Sequence, residues 1–179
     1  NKRWLDEKLV DVRVAVNVSA RQFKEGNLLA VVEGALASSG LKETNLELEM
    51  TEGVLMSDPN TSDIIAELRE RGVSISLDDF GTGFSSFAYL RDMELDFLKI
   101  DKSFVLCMLD DEKSKAIVKS IIDVGINLGF QVVAEGIESE SIMALLAEAG
   151  CHIGQGYHMS KPITEELLFQ FACNISSNK

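Results

Sequence analysis

Residues 73–79 read VSISLDD, a stretch in which apolar and polar side chains alternate. A period of two residues predicts a β-strand with one apolar and one polar face. Val73, Ile75 and Leu77 form the apolar face, and the opposite face carries the polar residues Ser74, Ser76 and Asp78. This stretch therefore predicts a sheet that packs one face on a core and ends in an acidic side chain on the other.

The same pattern recurs along the chain, and each predicted strand is followed by a predicted helix. Gly40 and Gly72 are placed to end the first two helices, and Ser139 is placed to cap a later one. Because parallel strands need a crossover connection, six such units in strict alternation predict an α/β fold with a parallel sheet. The predicted strands cover 12–18, 46–50, 73–79, 97–100, 131–136 and 152–157, and the predicted helices cover 27–38, 61–71, 85–91, 112–128, 139–148 and 164–171.

The strand ends distinguish two architectures, an open doubly wound sheet and a closed (β/α) barrel. An open sheet usually marks its ligand site by one Gly-rich turn, whereas a barrel builds the site from the ends of many strands. Any single polar strand end is compatible with simple exposure to solvent, but five in succession favour the rim of a barrel. These five residues are Asn17, Glu49, Asp78, Asp101 and Glu135.

The predicted rim carries five carboxylates and one ammonium group, so it would repel itself unless it bound protons or cations. Oxygen ligands of this kind suit Mg²⁺ or Mn²⁺. We expect Asp78 and Asp79 to diverge, one into the barrel and one onto the following loop, so that two cations could share the pair. The whole rim consists of Asn17, Glu49, Asp78, Asp79, Lys99, Asp101, Glu135 and Gln155.

Four further features allow more than one interpretation. Lys99 could hold a metal-bound water, act as a base, or simply form a salt bridge. Glu52 and Glu138 could anchor loops at the site or lie on the surface. The turn Gly81-Thr82-Gly83 either brings N–H groups to a ligand or is an ordinary connection after the strand.

Composition and charge bound the function. A chain of 179 residues, 46% of them hydrophobic, is long enough for one domain with a sizeable core. It has 17 basic and 29 acidic residues, a net charge of −12, and no cluster of Lys and Arg, which argues against DNA or RNA as a partner. The apolar stretch 121–134 is interrupted by polar residues, and three cysteines indicate no disulfide framework, so we expect a cytoplasmic domain. The first residue is Asn1, so we expect a longer parent chain, which could itself be membrane-attached.

Six motifs resemble the EAL-domain phosphodiesterases of bacterial cyclic-di-GMP signalling. The resemblance implies a modified TIM (β/α)8 barrel that hydrolyses cyclic-di-GMP to linear pGpG with two Mg²⁺ or Mn²⁺ ions. It also implies a homodimer. The motifs are VNVSARQF at 16–23, LELEMTEG at 46–53, LDDFGTGFSS at 77–86, LKID at 98–101, VVAEGIE at 132–138 and GQGY at 154–157.

The resemblance also implies roles for individual residues. Lys99 would orient the attacking water, and Gln155 would lie beside it. Glu52 would hold the loop 79–84, which in the family helps to couple dimerisation to activity, while Asp101 and Glu138 would support the site. The implied metal ligands are Asn17, Glu49 and Asp78 for one ion and Asp78, Asp79 and Glu135 for the other.

The tripeptide Glu-Ala-Leu that names the family is absent from the chain. The nearest string, EGAL at 33–36, lies in the first predicted helix, and only six of the eight βα units are present. We therefore expect 1–179 to be a partial domain that lacks its N-terminal strands, within a parent that carries sensory or GGDEF-type domains. Two alternatives remain: a catalytically incomplete cyclic-di-GMP receptor or regulatory module, and a different barrel enzyme that uses Lys99 as a base beside Mg²⁺.

Overall fold

A computed structural model describes residues 2–6, 12–57, 60–83, 87–168 and 170–171, and of 87–89 the backbone alone. Within these ranges six strands form one parallel sheet in chain order, which curls into a partial barrel. The predicted α/β fold is confirmed, and the six predicted strands are all present. They are β1 (Val14–Asn17), β2 (Leu46–Thr51), β3 (Ser74–Phe80), β4 (Phe97–Ile100), β5 (Gln131–Glu135) and β6 (Ile153–Gln155).

Helices follow each of the first five strands. The predicted helices at 27–38, 61–71, 112–128 and 139–148 are confirmed within two residues, and 165–168 and 170–171 are helical as predicted. The start of the helix predicted at 85–91 lies outside the described residues. The helices are α1 (Lys2–Asp6), α2 (Ala20–Lys24), α3 (Leu28–Ser39), α4 (Glu52–Leu55), α5 (Thr61–Glu70), α6 (Phe87–Asp92), α7 (Lys102–Cys107), α8 (Glu112–Asn127) and α9 (Glu140–Glu148).

Local signals in the sequence set several helix boundaries. Gly40 has a φ of 65° and ends α3 in the left-handed conformation that glycine adopts without penalty. The Ser139 hydroxyl accepts a hydrogen bond from Ile142 N at 3.3 Å and caps α9 as predicted. Helices α1, α2, α4 and α7 were not predicted because four to six residues are too few to show a helical period.

The apolar faces of the four central strands, β2 to β5, point outward and pack on the helices, as a barrel requires. Ile75, Leu98 and Val132 are fully buried, as is Ile122 of α8. A Cβ atom at Gly125 of α8 would lie 2.5 Å from Val132 Cγ2, so glycine lets this helix approach β5 closely. No helix among the described residues is both long and apolar enough to cross a membrane.

The amino ends of the strands carry a different polar arrangement. Arg13 donates a hydrogen bond to Glu47 Oε2 at 3.2 Å, and its guanidinium lies 4.8 Å from the centroid of the Phe97 ring. Arg69 binds both carboxylate oxygens of Asp96, whose Oδ2 also accepts a hydrogen bond from Ile75 N at 2.9 Å. Asp96 therefore joins α5 to the start of β3.

We expect the variant Asp96→Ala to unfold more easily than the native protein. It leaves Ile75 N and the Nε and Nη2 groups of Arg69 without their acceptor, which costs about 2 kcal/mol of unfolding free energy. The matched control is Glu94→Ala, because Glu94 also binds Arg69 but its side chain is 67% exposed, and its loss costs under about 0.5 kcal/mol. Denaturation with urea measures both, and equal effects would contradict the role given to Asp96.

Candidate active site

The register of the sheet brings the polar strand ends together at the carboxyl end of the partial barrel, which we call the mouth. Asn17 pairs with Glu49, and Glu135 pairs with Gln155. Between β2 and β3 the polar residues are shifted by two positions. Glu49 of β2 lies opposite Ser76 of β3, and Ser76 precedes Asp78 by two residues. This stagger is the shear that tilts the strands of a barrel, and it keeps successive strand ends level at the rim.

A bulge in β3 exposes two consecutive carboxylates to the mouth. Leu77 pairs with Leu98 and Phe80 pairs with Ile100, so Asp78 and Asp79 lie opposite the single residue Lys99. Asp79 has a φ of 54°, the only positive φ outside glycine among the described residues. Aspartate tolerates this left-handed conformation better than most residues, and it breaks the usual alternation of side chains.

The bulge corrects the expectation that Asp78 and Asp79 diverge. One carboxylate oxygen from each of Asp78, Asp79 and Glu135 lies within 4.8 Å of the other two. Both aspartates therefore face the same space, and the sequence pattern missed this because alternation alone places neighbours on opposite faces.

Lys99 lies at the centre of the mouth and contacts three carboxylates. It is 5% exposed, and its Nζ lies 2.7 Å from Glu49 Oε1, 3.0 Å from Asp78 Oδ1 and 2.7 Å from Glu135 Oε1. Burial lowers the pKa of Lys99, but the hydrogen bonds to Glu135 and Glu49 raise it by more than burial lowers it. The pKa of Lys99 is therefore above its usual value. The amine is therefore charged at neutral pH, which disfavours its use as a general base.

The remaining negative charge is only partly compensated. Burial raises the pKa of Glu135, and Lys99 offsets only part of that rise. Burial and then the charge of Asp78 raise the pKa of Asp79. Burial also opposes ionisation of Asp101, but hydrogen bonds from the Ser103 hydroxyl and N–H hold the pKa of Asp101 below its usual value.

The residues present fit a divalent cation. Asp78 Oδ1 is buried and makes no hydrogen bond, since its approach to Lys99 at 3.0 Å is poorly aligned for one. A buried acceptor without a hydrogen bond is costly unless another positive group faces it. The donor set around it consists of carboxylate oxygens, which are the ligands that Mg²⁺ and Mn²⁺ prefer.

Glu52 holds the turn that follows β3. It is the first residue of α4, and its Oε1 accepts a hydrogen bond from Gly81 N at 3.1 Å. A Cβ atom at Gly83 would lie well under 3.0 Å from Glu52 Oε2, so the turn packs directly on this carboxylate. Two interpretations of the turn Gly81-Thr82-Gly83 were open, a donor of N–H groups to a ligand and an ordinary connection. In the structure the Gly81 N–H binds Glu52.

The other predicted site residues lie around the mouth. Asn17 is exposed at the end of β1 next to Glu49, and Asp101 caps α7 directly after β4. Glu138 is exposed in the loop after β5, and Gln155 is exposed at the end of β6. The structure thus places all the predicted residues on the carboxyl side of the sheet.

A groove of about 700 Å³ extends from Glu135 along the loops after β5 and β6. Its lining includes residues that sequence reasoning did not single out: Lys102, Tyr157, Lys161 and Pro162. Lys161 Nζ lies 5.8 Å from the centroid of the Tyr157 ring. The groove therefore combines acidic groups with cationic and aromatic groups. Of the residues just named only Tyr157, within GQGY, gave a sequence signal.

The fold and the mouth define a class of protein, a (β/α) barrel domain with an acidic site at the carboxyl ends of its strands. The sequence profile of the EAL domain matches residues 2–162. The chain therefore belongs to the EAL domain family, and the resemblance seen in its motifs is confirmed.

Two relatives illustrate the family at the level of sequence. The chain is 43% identical over 169 residues to the signaling protein YkoW of Bacillus subtilis. It is 40% identical over 166 residues to MucR of Pseudomonas aeruginosa, which is named a bifunctional diguanylate cyclase and cyclic di-GMP phosphodiesterase. These alignments cover 94% and 92% of the chain but only 21% and 24% of the two relatives.

Solved structures agree with this assignment. The chain superposes on the MucR phosphodiesterase in complex with c-di-GMP with a TM-score of 0.88 and 39% identity, over 93% of this chain and 68% of that chain. It superposes on Klebsiella pneumoniae BlrP1, solved as a manganese and cyclic-diGMP complex, with a TM-score of 0.79 and 25% identity, over 90% and 42% of the two chains. Structures of the family thus contain both the nucleotide and metal ions.

We expect Mn²⁺ to stabilise the protein through the carboxylates of the mouth. A cation at one hundred times its Kd adds about 2.7 kcal/mol, which for a domain of this size raises Tm by roughly 5 to 10 °C. The variants Asp79→Asn and Glu135→Gln should lose most of this rise, whereas Glu94→Gln should keep it. A thermal melt with and without Mn²⁺ measures the difference, and an undiminished rise in the first two variants would place the cation elsewhere.

We also expect Mn²⁺ binding to strengthen as the pH rises. The pKa values of Asp79 and Glu135 are raised in the metal-free protein, so at acidic pH a cation must displace protons from them. Titration calorimetry in buffers of different ionisation enthalpy should show proton release that becomes smaller as the pH rises from acidic to neutral. Proton release that does not change with pH would contradict this assignment.

Proposed function

We propose that this chain forms the larger part of a phosphodiesterase domain that hydrolyses cyclic-di-GMP to linear pGpG with two divalent metal ions, Mg²⁺ or Mn²⁺. The observation that carries the proposal is the convergence of Glu49, Asp78 and Glu135 on the Nζ of Lys99, with Asp79 in the same cluster. Relatives named as cyclic di-GMP phosphodiesterases support the choice of substrate.

The carboxylates and one amide would hold the ions. Asn17, Glu49 and Asp78 would bind one, and Asp78, Asp79 and Glu135 the other. When bound, the ions neutralise the phosphate and lower the pKa of the attacking water. They also explain how a chain of net charge −12 attracts an anionic nucleotide, because they reverse the sign of the charge locally.

The chain's own groups would orient the reacting atoms. Lys99 stays protonated, so its Nζ donates hydrogen bonds that position the attacking water and stabilise the negative charge on the phosphate oxygens. Gln155 lies opposite Glu135 and presents its amide beside that water. Glu52 keeps the turn after β3 in place and thereby fixes Asp79, while Asp101 and Glu138 support the site from its edge.

The groove beside Glu135 would receive the nucleotide. Tyr157 and Pro162 offer flat apolar surface to a guanine base, and Lys102 and Lys161 offer positive charge to a phosphate. Glu135, a proposed metal ligand, lines the same groove, which supports a scissile phosphate bound next to the ions.

We further propose that 1–179 is a partial domain within a longer parent that carries sensory or GGDEF-type domains and acts as a cytoplasmic homodimer. Among the described residues β1 and β6 each pair with a strand on one side only. The proposal is supported by the share of the MucR phosphodiesterase that this chain covers, 68%.

A second candidate is a cyclic-di-GMP receptor or regulatory module without hydrolysis. The observation that favours it is the absence from these 179 residues of Glu-Ala-Leu, the tripeptide that names the family.

The direct test is hydrolysis by the full-length protein with Mn²⁺, followed by chromatography of pGpG. We expect native activity and a loss of kcat of at least about 100-fold in Lys99→Met, with Lys42→Met, an exposed lysine away from the mouth, as the matched control. A folded native protein that makes no pGpG would overturn the proposal. Tight nucleotide binding that survives EDTA would then favour the receptor.

A further inference from the structure

The segment 154–158, which is the end of β6 and the turn that follows it, wraps around one residue, Ile137. Ile137 N donates a hydrogen bond to Gln155 O at 3.1 Å, and His158 N donates one to Ile137 O at 2.9 Å. Ile137 is 1% exposed. We call residues 154–158 together with Ile137 the clasp.

Two glycines make the clasp possible. A Cβ atom at Gly154 would lie 2.6 Å from Ile137 Cδ1, and one at Gly156 would lie well under 3.0 Å from the main-chain N and O of Ile137. Neither glycine has a positive φ, so the requirement is for space and not for backbone freedom. Gly154 is blocked by a side-chain methyl group and Gly156 by main-chain atoms, which makes the two positions experimentally different.

The clasp lies directly beside the proposed site. Glu135 precedes Ile137 by two residues. Gln155 lies between Gly154 and Gly156, the two glycines that contact Ile137. Strand β6 has only three residues, all exposed, and pairs with β5 alone among the described strands. The sheet therefore holds Gln155 weakly, and the clasp supplies the remaining constraint.

We infer that Ile137 is a positioning residue, which fixes Gln155 against Glu135 by filling the space between Gly154 and Gly156. The inference rests on the proposed hydrolysis of cyclic-di-GMP, for which both residues are assigned to the site. A displacement of about 1 Å in a group that orients reactants is enough to cost a large part of the rate.

The test is a double-mutant cycle in the full-length protein. Gly154→Ala places its methyl group against Ile137 Cδ1 and should lower kcat about tenfold or more, with KM nearly unchanged. Ile137→Val removes Cδ1 and should lower native kcat about threefold. In the Gly154→Ala background the Ile137→Val substitution should raise kcat, because it vacates the space that the new methyl group needs.

The matched control is Gly34→Ala, because a Cβ atom at Gly34 meets nothing within 4 Å. This variant should retain native activity.

Two readouts do not depend on hydrolysis. Amide hydrogen exchange of peptides covering 136–140 and 153–159 should quicken in Gly154→Ala and slow again in the double variant. Mn²⁺ affinity, measured by calorimetry, should fall and recover in the same order because Glu135 adjoins the clasp.

The outcomes separate the two proposals. Recovery of exchange without recovery of kcat would overturn the positioning role, as would a Gly154→Ala variant whose kcat stays within twofold of native. A native protein without hydrolysis would end the proposed function. Mn²⁺ affinity that still followed the cycle would then support the positioning role, and affinity unaffected by it would overturn that role.

Discussion

The ammonium group of Lys99 is the interaction on which the mouth of the barrel depends. It is supplied by β4 and contacts carboxylates from β2, β3 and β5 at 2.7 to 3.0 Å, so one buried cation ties together the carboxyl ends of four strands. Removing it would leave partly buried acidic groups that repel one another, at a cost of several kcal/mol. Three acids around one lysine still leave an excess of negative charge, and that excess favours the binding of cations.

A second constraint is local. The bulge in β3 and the left-handed backbone of Asp79 sacrifice regular pairing so that two consecutive acids face the mouth. Strained backbone of this kind is commonly kept where it serves a site. Glu52 holds the following turn, and the clasp around Ile137 plays the corresponding part on the far side of the mouth. The acidic side chains are therefore positioned by the backbone on both sides of the mouth, with the lysine between them.

Much of this was predictable from the sequence, and the reason is the period of a strand. Alternation assigns each side chain to a face, so the amino-acid pattern alone was enough to place Glu49, Asp78, Lys99 and Glu135 on the inner face. Parallel βα units bring strand ends together, which predicted their proximity. The orientation of Asp79 could not be predicted, because a bulge depends on how two strands align. The clasp and the contact of Asp96 with Arg69 could not be predicted either. Each joins segments about 20 or more residues apart, through backbone proximity in the clasp and through a single side chain at Asp96.

The central claim is that acids from several strands gather around Lys99 to bind divalent metal. Anomalous diffraction from crystals of the full-length protein grown with Mn²⁺ tests it most directly. The account predicts a manganese peak within bonding distance of carboxylate oxygens of Asp78, Asp79 and Glu135. Manganese found only at other carboxylates, with Asp78 and Glu135 still paired with Lys99, would contradict it.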